Sequence, residues 1–370
     1  MSARFRQKVV LKSTTERPDL ILVGLTLVLT IFGVVMVGDA SVAEAYRDFG
    51  DKFYYLKLQA QWTALGILGM LGALNFNFKR LKIFAFPLLL ITILCLFAVL
   101  VPGLGIKALG AKRWLGVGNF RFQPSELAKF SFILWSAAFL SNKRKTLSFL
   151  WVLGLLGGLI ILQPDLGTTV ILVASGLVAY FASGAPIWEI GLMGLMGLIV
   201  GTGLIFSSSY RKERFLTFLN PERDPLGASY HIRQILIALG SGGLFGLGLG
   251  QSRQKYEYIP AAATDSIFAI IAEETGFIGA SIVLLLFLFL VWRGFKIAKE
   301  APDDFARLLA VGITAWIGLQ ALLNLAAMTA LIPLTGIPLP FISYGGSSLV
   351  LSLTATGILA NISKYRTIRK

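Results

Sequence analysis

The chain has 370 residues, of which 56% are hydrophobic and only 14% charged, with a mean hydropathy of +0.76. A soluble domain carries roughly 25% charged residues to coat its surface, so this composition excludes a soluble globule and makes lipid the solvent for most of the chain. The charge is lopsided, 34 Lys and Arg against 19 Asp and Glu for a net +15; in a membrane protein that excess points first to topology and then to an anionic lipid substrate, not to nucleic acid.

A basic start, Arg4, Arg6, Lys8, Lys12 and Arg17, leads into an apolar run from Leu20. That reads as a retained first span and not as a cleaved leader. A spanning helix needs about 20 mostly apolar residues. Ten candidates follow, near 20–38, 57–76, 83–101, 125–141, 147–163, 166–184, 187–207, 266–291, 305–331 and 343–362. The expected fold is one all-α polytopic integral membrane domain over 1–370, of about ten transmembrane helices. With residues 1–19 in the cytoplasm, the basic clusters Lys79/Arg80/Lys82, Lys143/Arg144/Lys145, Arg293/Lys296/Lys299/Arg307 and the 363–370 tail (Lys364, Arg366, Arg369, Lys370) all fall inside, as positive-inside requires. Both termini are then cytoplasmic, and one large outer loop, 208–264, lies between spans seven and eight.

Two outer segments break that rule. Residues 102–124 carry Lys107, Lys112, Arg113 and Arg121 with no acid, and 208–264 carry Arg211, Lys212, Arg214, Arg223, Arg233, Arg253 and Lys255. A basic loop on the wrong side has a topological cost, so a ligand is expected there. Within the second segment Ile232, Ile235, Leu236 and Leu239 fall at helical spacing and predict an amphipathic helix in the interface. The run Ser241 to Gly250 lacks the lysine of a phosphate loop, so tight backbone packing is the preferred reading. One cysteine, Cys95, and one histidine, His231, exclude an internal disulfide and a His-rich metal or haem site.

Charges inside or at the ends of apolar helices are functional candidates: Glu126, Lys129, Asp165, Glu189, Asp265, Glu273 and Glu274. In Gln123-Pro-Ser-Glu-Leu-Ala-Lys129 the proline suits a first helical turn and Glu126 pairs with Lys129 at i+3. Either the pair caps the helix or it lines a polar cavity; the nearby Lys112-Arg113-Trp114 favours the cavity, since two cations and an aromatic suit a pyrophosphate and a sugar. Asp165, in Gln163-Pro-Asp-Leu-Gly-Thr-Thr169, is read either as a helix cap or as part of that cavity. Thr264 is the expected cap of the eighth span, with Asp265 just inside it as cap or general base. Glu273 and Glu274 are expected to be structural. The stretch Gly336 to Ser348, with Pro338 and Pro340, predicts irregular backbone at membrane depth, which must be buried in protein or line a wet cavity.

Together these stretches resemble the SEDS family (shape, elongation, division, sporulation) of peptidoglycan polymerases. The resemblance is carried by Lys112-Arg-Trp114, Phe122 to Lys129, Gln163 to Thr168, Tyr230 to Gly250, Ser252-Arg-Gln-Lys-Tyr256, Thr264 to Glu274 and Pro340 to Ser348. It implies a glycosyltransferase that polymerises lipid II into β-1,4 glycan strands at the outer face of the cytoplasmic membrane, releasing undecaprenyl pyrophosphate. Ser252 to Lys255 resembles the division branch more than the elongation branch, which implies septal synthesis. By the same resemblance Asp265 is the general base, and Lys112, Arg113, Glu126, Lys129, Asp165, Arg253, Lys255 and Ser343 bind substrate. The implied partners are a class B penicillin-binding protein and other divisome membrane proteins, and a divalent cation, Mg or Mn, is an allowed cofactor. Leu58, Leu109, Ala261 and Ser266 depart from the family pattern. A lipid II flippase and a non-catalytic division scaffold are the competing readings; the clustering of polar candidates on the outer side speaks against the first, and the basic outer loops with Asp265 against the second.

Overall fold

The structure is a computed structural model and describes residues 17–108, 111–117, 120–142, 145–220, 222, 227, 229–256 and 258–365. Arg4, Arg6, Lys8, Lys12, Leu109, Lys143, Arg144, Arg223, Arg366, Arg369 and Lys370, all invoked above, lie outside the described residues.

In chain order the elements are α1 (Leu20–Ala40), α2 (Val42–Phe49), α3 (Tyr54–Asn75), α4 (Phe78–Leu100), β1 (Ile106–Ala108), β2 (Ala111–Val117), β3 (Phe120–Phe122), α5 (Pro124–Leu140), α6 (Thr146–Ile161), α7 (Leu166–Ala182), α8 (Ile187–Phe206), α9 (Ser209–Leu219), α10 (Tyr230–Gly242), α11 (Ile267–Glu300), α12 (Asp304–Met328) and α13 (Gly346–Ile362). Among the described residues, the ten helices of 16 residues or more coincide with the ten predicted spans. By length and composition α1, α4, α8, α11 and α12 are long and apolar enough to cross a membrane. Mean hydropathy marks these segments because a helix satisfies its own backbone, the only economical state in hydrocarbon.

The helical fold class holds, with one local addition. The predicted loop 102–124 holds a three-stranded antiparallel sheet in the order β1-β2-β3, with Lys107 opposite Lys112 and Gly116 opposite Arg121. A hairpin signal was present: only Gly118 and Asn119 separate two short alternating runs. The amphipathic helix exists as α10, but its buried stripe is Ile232, Ile235 and Ala238, packed on α11, while Leu236 is exposed.

α5, α7, α12 and α13 form the centre of the bundle. α5 and α12 are buried on nearly every side, whereas α8 contributes no buried residue and stands at the periphery. A helix apolar all round belongs in a protein core or in lipid; α5 takes the first place and α8 the second. α3 packs closely on α13, where Gly357 lets the Met70 carbonyl approach to where a Cβ would stand, 2.3 Å from it.

α11 is broken at Gly276, whose φ of 67° and ψ of −169° are non-helical. The glycine run beside it replaces the interrupted ladder. Leu247 and Gly248 donate their N–H groups to the Glu273 and Glu274 carbonyls at 3.0 Å, and Phe277 and Ile278 donate to the Gly243 and Leu244 carbonyls at 2.8 and 3.2 Å. Any Cβ at Gly246 would lie 2.1 Å from the Glu274 carbonyl oxygen. The run is thus a backbone-packing element, as preferred from the sequence.

Residues 329–345, between α12 and α13, are irregular as expected. They lie against the starts of α7, α11 and α13, through Gly167 to Ile337, Tyr344 N–H to the Ala263 carbonyl, and Leu349 N–H to Gly345. This segment brings the candidate residues together.

Candidate functional site

Asp265 lies in a turn over 261–266, immediately before α11 and not inside it. This corrects the expected cap: the N-cap is Ser266, and Thr264 donates instead to the Ala261 carbonyl at 3.1 Å and to Asp265 Oδ1 at 3.0 Å. The turn forms because Ala261 takes a left-handed φ of 54°, and Ser266 Oγ closes it by donating to the Pro260 carbonyl at 3.2 Å. Phe341, which is buried, has φ 65°. Non-glycine residues in that region cost of order 1 kcal/mol and gather at functional sites.

The backbone on either side of Asp265 is held by other helices. Asn324 Nδ2, from α12, donates to the Asp265 carbonyl at 2.7 Å and to the Ile337 carbonyl at 2.8 Å. Ser343 Oγ donates to the Thr264 carbonyl at 2.5 Å and accepts from Leu339 N–H at 2.8 Å. Ser343 is therefore a brace under Asp265. The carboxylate itself is only partly buried, and among the described residues its Oδ2 accepts no hydrogen bond and forms no ion pair.

A cavity of about 210 Å³ is lined by residues that include Glu213 and Arg214 of α9, His231 of α10 and Leu334; Asp265 lies outside that lining and reaches it through the charge it exerts on His231. His231 Nε2 shares a 2.8 Å hydrogen bond with Ser266 Oγ. Burial pushes the imidazole below the ordinary histidine range, and the Arg214 charge adds to this, against an opposing pull from Asp265. A larger open cavity beside Phe139, Asn142 and Lys145 lies at the opposite end of α5.

Glu126 and Lys129 are completely internal. Lys129 Nζ bonds Glu126 Oε1 at 2.8 Å and Gln320 Oε1 at 2.7 Å, and lies 5.3 Å from the centre of the Trp316 ring. Gln320 Nε2 donates to the Pro338 carbonyl at 2.9 Å. The pair thus ties α5 through α12 to the irregular segment. Asp165 caps α7, accepting from Thr168 N–H at 3.1 Å and from Thr168 Oγ1 at 2.9 Å, with Gln123 and Ser125 against its other lone pairs.

The expected basic contacts divide. Lys112 and Arg121 are exposed on the sheet, as is Arg253 on its loop. Successive strand side chains face opposite ways, so Arg113 points to the bundle: its Nε donates to the Gln163 carbonyl at 3.1 Å and its Nη2 to the Pro164 carbonyl. Arg113 clamps the turn that carries Asp165. Lys255 departs furthest from expectation. It is 5% exposed, and its ammonium bonds both Asp39 oxygens at 2.7 and 2.9 Å, the Gly250 carbonyl at 2.8 Å and Glu274 Oε1 at 3.0 Å. It is an internal clamp and not an open cation. Burial opposes its charge, but the Asp39 and Glu274 carboxylates outweigh burial and hold its pKa above the ordinary lysine value. Glu273 and Glu274 are structural, bonding backbone N–H groups of 250–254.

Sequence reasoning overlooked Asn324 and Gln320, and it named Arg214 and His231 without giving either a place in the site. Amides inside the predicted span 305–331 were a usable signal, because a buried amide must find partners. Among the described residues no group of three His, Cys, Asp or Glu side chains converges to hold a metal ion.

The family model FtsW/RodA/SpoVE, described as a cell cycle protein, matches residues 19–368. The chain is 44% identical over 362 residues to stage V sporulation protein E of Bacillus subtilis, covering 95% of this chain and 99% of that protein. It is 41% identical over 356 residues to the probable peptidoglycan glycosyltransferase FtsW of Geobacter sp. strain M18, covering 94% and 97%. A solved structure described as "Structural coordination of polymerization and crosslinking by a peptidoglycan synthase complex" superposes with a TM-score of 0.77 at 30% identity, covering 94% of this chain and 97% of that one.

Proposed function

The chain belongs to the FtsW/RodA/SpoVE family of cell cycle proteins, and on that premise we propose that it is a peptidoglycan glycosyltransferase with Asp265 as general base. It is a multi-pass membrane protein, and the relatives' names support the reaction class. The substrate is lipid II. The 4-hydroxyl of the acceptor GlcNAc attacks C1 of the donor MurNAc, and Asp265 takes the hydroxyl proton. The bond from C1 to the pyrophosphate oxygen breaks with its electron pair on that oxygen, and undecaprenyl pyrophosphate leaves without a proton. A β-1,4 bond results. One observation carries the assignment: Asp265 is partly open, is held by Asn324 through its own carbonyl and by Ser343 through that of Thr264, and among the described residues has one carboxylate oxygen unspent. A general base needs such reach, while its neighbours hold it still.

A class B penicillin-binding protein is the proposed partner, supported by the complex coordinating polymerisation with crosslinking. Septal division is the proposed setting, and the FtsW relatives support it. Synthesis during sporulation is a second reading, favoured by the Bacillus subtilis relative. Depletion separates the two: filamentation of growing cells supports division, whereas a defect confined to spores supports the other.

The test of the reaction is purified protein with its penicillin-binding partner and labelled lipid II. Glycan chains from the wild type and none from Asp265→Asn are expected. Equal polymerisation by both would remove Asp265 as the base. Lipid II translocation in vesicles that survives Asp265→Asn, without polymer, would favour a flippase.

A further inference from the structure

Arg214 and Asp265 both approach Gly336. Gly336, with φ 69°, has no side chain, and a Cβ built on it would lie 3.8 Å from Asp265 Oδ2 and 3.9 Å from Arg214 Nη1. The two charges form no ion pair. Arg214 is held off the carboxylate by its Nη1 bond to the Leu334 carbonyl at 3.0 Å and by stacking of its guanidinium 4.7 Å from the Tyr210 ring centre. Opposite charges that form no ion pair beside a residue without a side chain, one of them lining a cavity, favour an occupant that gives a proton to the carboxylate and negative charge to the guanidinium.

We propose that Arg214 is a substrate-binding residue that takes the diphosphate of the donor lipid at the cavity it lines, near Gly336 and the base Asp265. This rests on the polymerase reading and extends it. The sequence assigned the diphosphate to Lys112 and Arg113, but Arg113 spends its donors on the Gln163 and Pro164 carbonyls. Arg214 keeps donors beyond Nη1, and a guanidinium fork matches phosphate oxygens bidentately. The leaving group departs as an anion, so a fixed cation beside it stabilises charge as it develops. Glu213, which also lines the cavity, and Asp265 near Gly336 both oppose an anion, so the diphosphate must sit directly against the Arg214 guanidinium. His231 is a positioning residue, holding Ser266 at the start of α11.

The test measures binding of undecaprenyl diphosphate and of undecaprenyl monophosphate to the full chain in nanodiscs, alongside lipid II polymerisation. Arg214→Gln should weaken the diphosphate lipid about tenfold, the scale of one charge-assisted hydrogen bond, and should narrow the preference for diphosphate over monophosphate. Arg214→Lys should restore part of both. Gly336→Ala places a methyl beside Arg214 and Asp265 and should weaken the diphosphate lipid, with a fall in melting midpoint as well because φ there is 69°. Wild-type diphosphate affinity in Arg214→Gln, or equal weakening of both lipids, would overturn the proposal. Asp265→Asn separates the two readings. Retained diphosphate binding with lost polymerisation supports both; diphosphate binding that depends on Arg214 in a protein that never polymerises lipid II keeps this site and removes the polymerase.

Discussion

Asn324 bonds two separate stretches of backbone through one amide nitrogen, the Asp265 carbonyl and the Ile337 carbonyl. Asn324→Ala would leave both carbonyls short of a donor, at a cost of about 1–3 kcal/mol, and would free the turn that aims the carboxylate. The expected result is a polymerisation kcat lowered about tenfold with unchanged lipid II affinity, since small misplacement of a catalytic group costs rate more than binding. A parallel loss of affinity would show that Asn324 does more than position. His231 makes a pH prediction at the same scale. Its folded pKa lies below the ordinary value of 6.5, so the unfolded chain binds the proton first. The stability it contributes is complete above about pH 6.5 and is lost as pH falls through the depressed folded value. The melting midpoint should therefore drop on acidification below that point, and His231→Gln should flatten the drop. Arg214, Glu213 and Asp265 surround the ring, and the variant leaves all three in place.

The broken helix α11 sets the prediction at the scale of elements. Its two halves are joined by the glycine loop, and Lys255 locks that loop to α1 through Asp39 and to α11 through Glu274. Lys255→Met would leave two carboxylates facing each other without a cation. Breaking one partner of a buried network costs about 3–5 kcal/mol. A marked fall in melting temperature is expected, with part of it recovered in the double variant Lys255→Met with Glu274→Gln. No fall would mean that the ammonium is free for substrate after all. Gly246→Ala should be as damaging, because φ is 82° and its methyl would lie 2.1 Å from the Glu274 carbonyl oxygen. Measuring the yield of monodisperse protein in detergent would check this.

At the scale of the whole molecule, the starts of α5, α7, α11 and α13 meet around residues 329–345, and this end carries every candidate in the proposed reaction. The charge pattern assigns it to the outer face. In a Cys95→Ser background, a cysteine at Arg121 should react with an impermeant maleimide in intact cells, and one at Lys145 only after permeabilisation. The reverse pattern would invert the topology and place the proposed chemistry on the wrong side of the membrane for wall synthesis.

Much of this was legible in the residues. Ten helices were visible because apolar length is a local property, and Asp265 stood out because a carboxylate at the edge of an apolar span is expensive. The irregular segment was visible in Pro338 and Pro340, and the pairing of Glu126 with Lys129 in their spacing. Less visible was how each polar group is spent. Lys112, Arg113, Arg253 and Lys255 look alike in sequence, yet one clamps a turn, one is buried and two are exposed. What decides this is partners far away in the chain: Asp39 lies 216 residues from Lys255, and Leu334 lies 120 from Arg214. The sequence by itself determined the solvent, the number of long helices and the side on which charge gathers, because hydropathy and helix propensity add up residue by residue. The tertiary structure alone decided which charges remain open to a ligand, because hydrogen-bond saturation depends on groups that only packing brings within 3 Å or so.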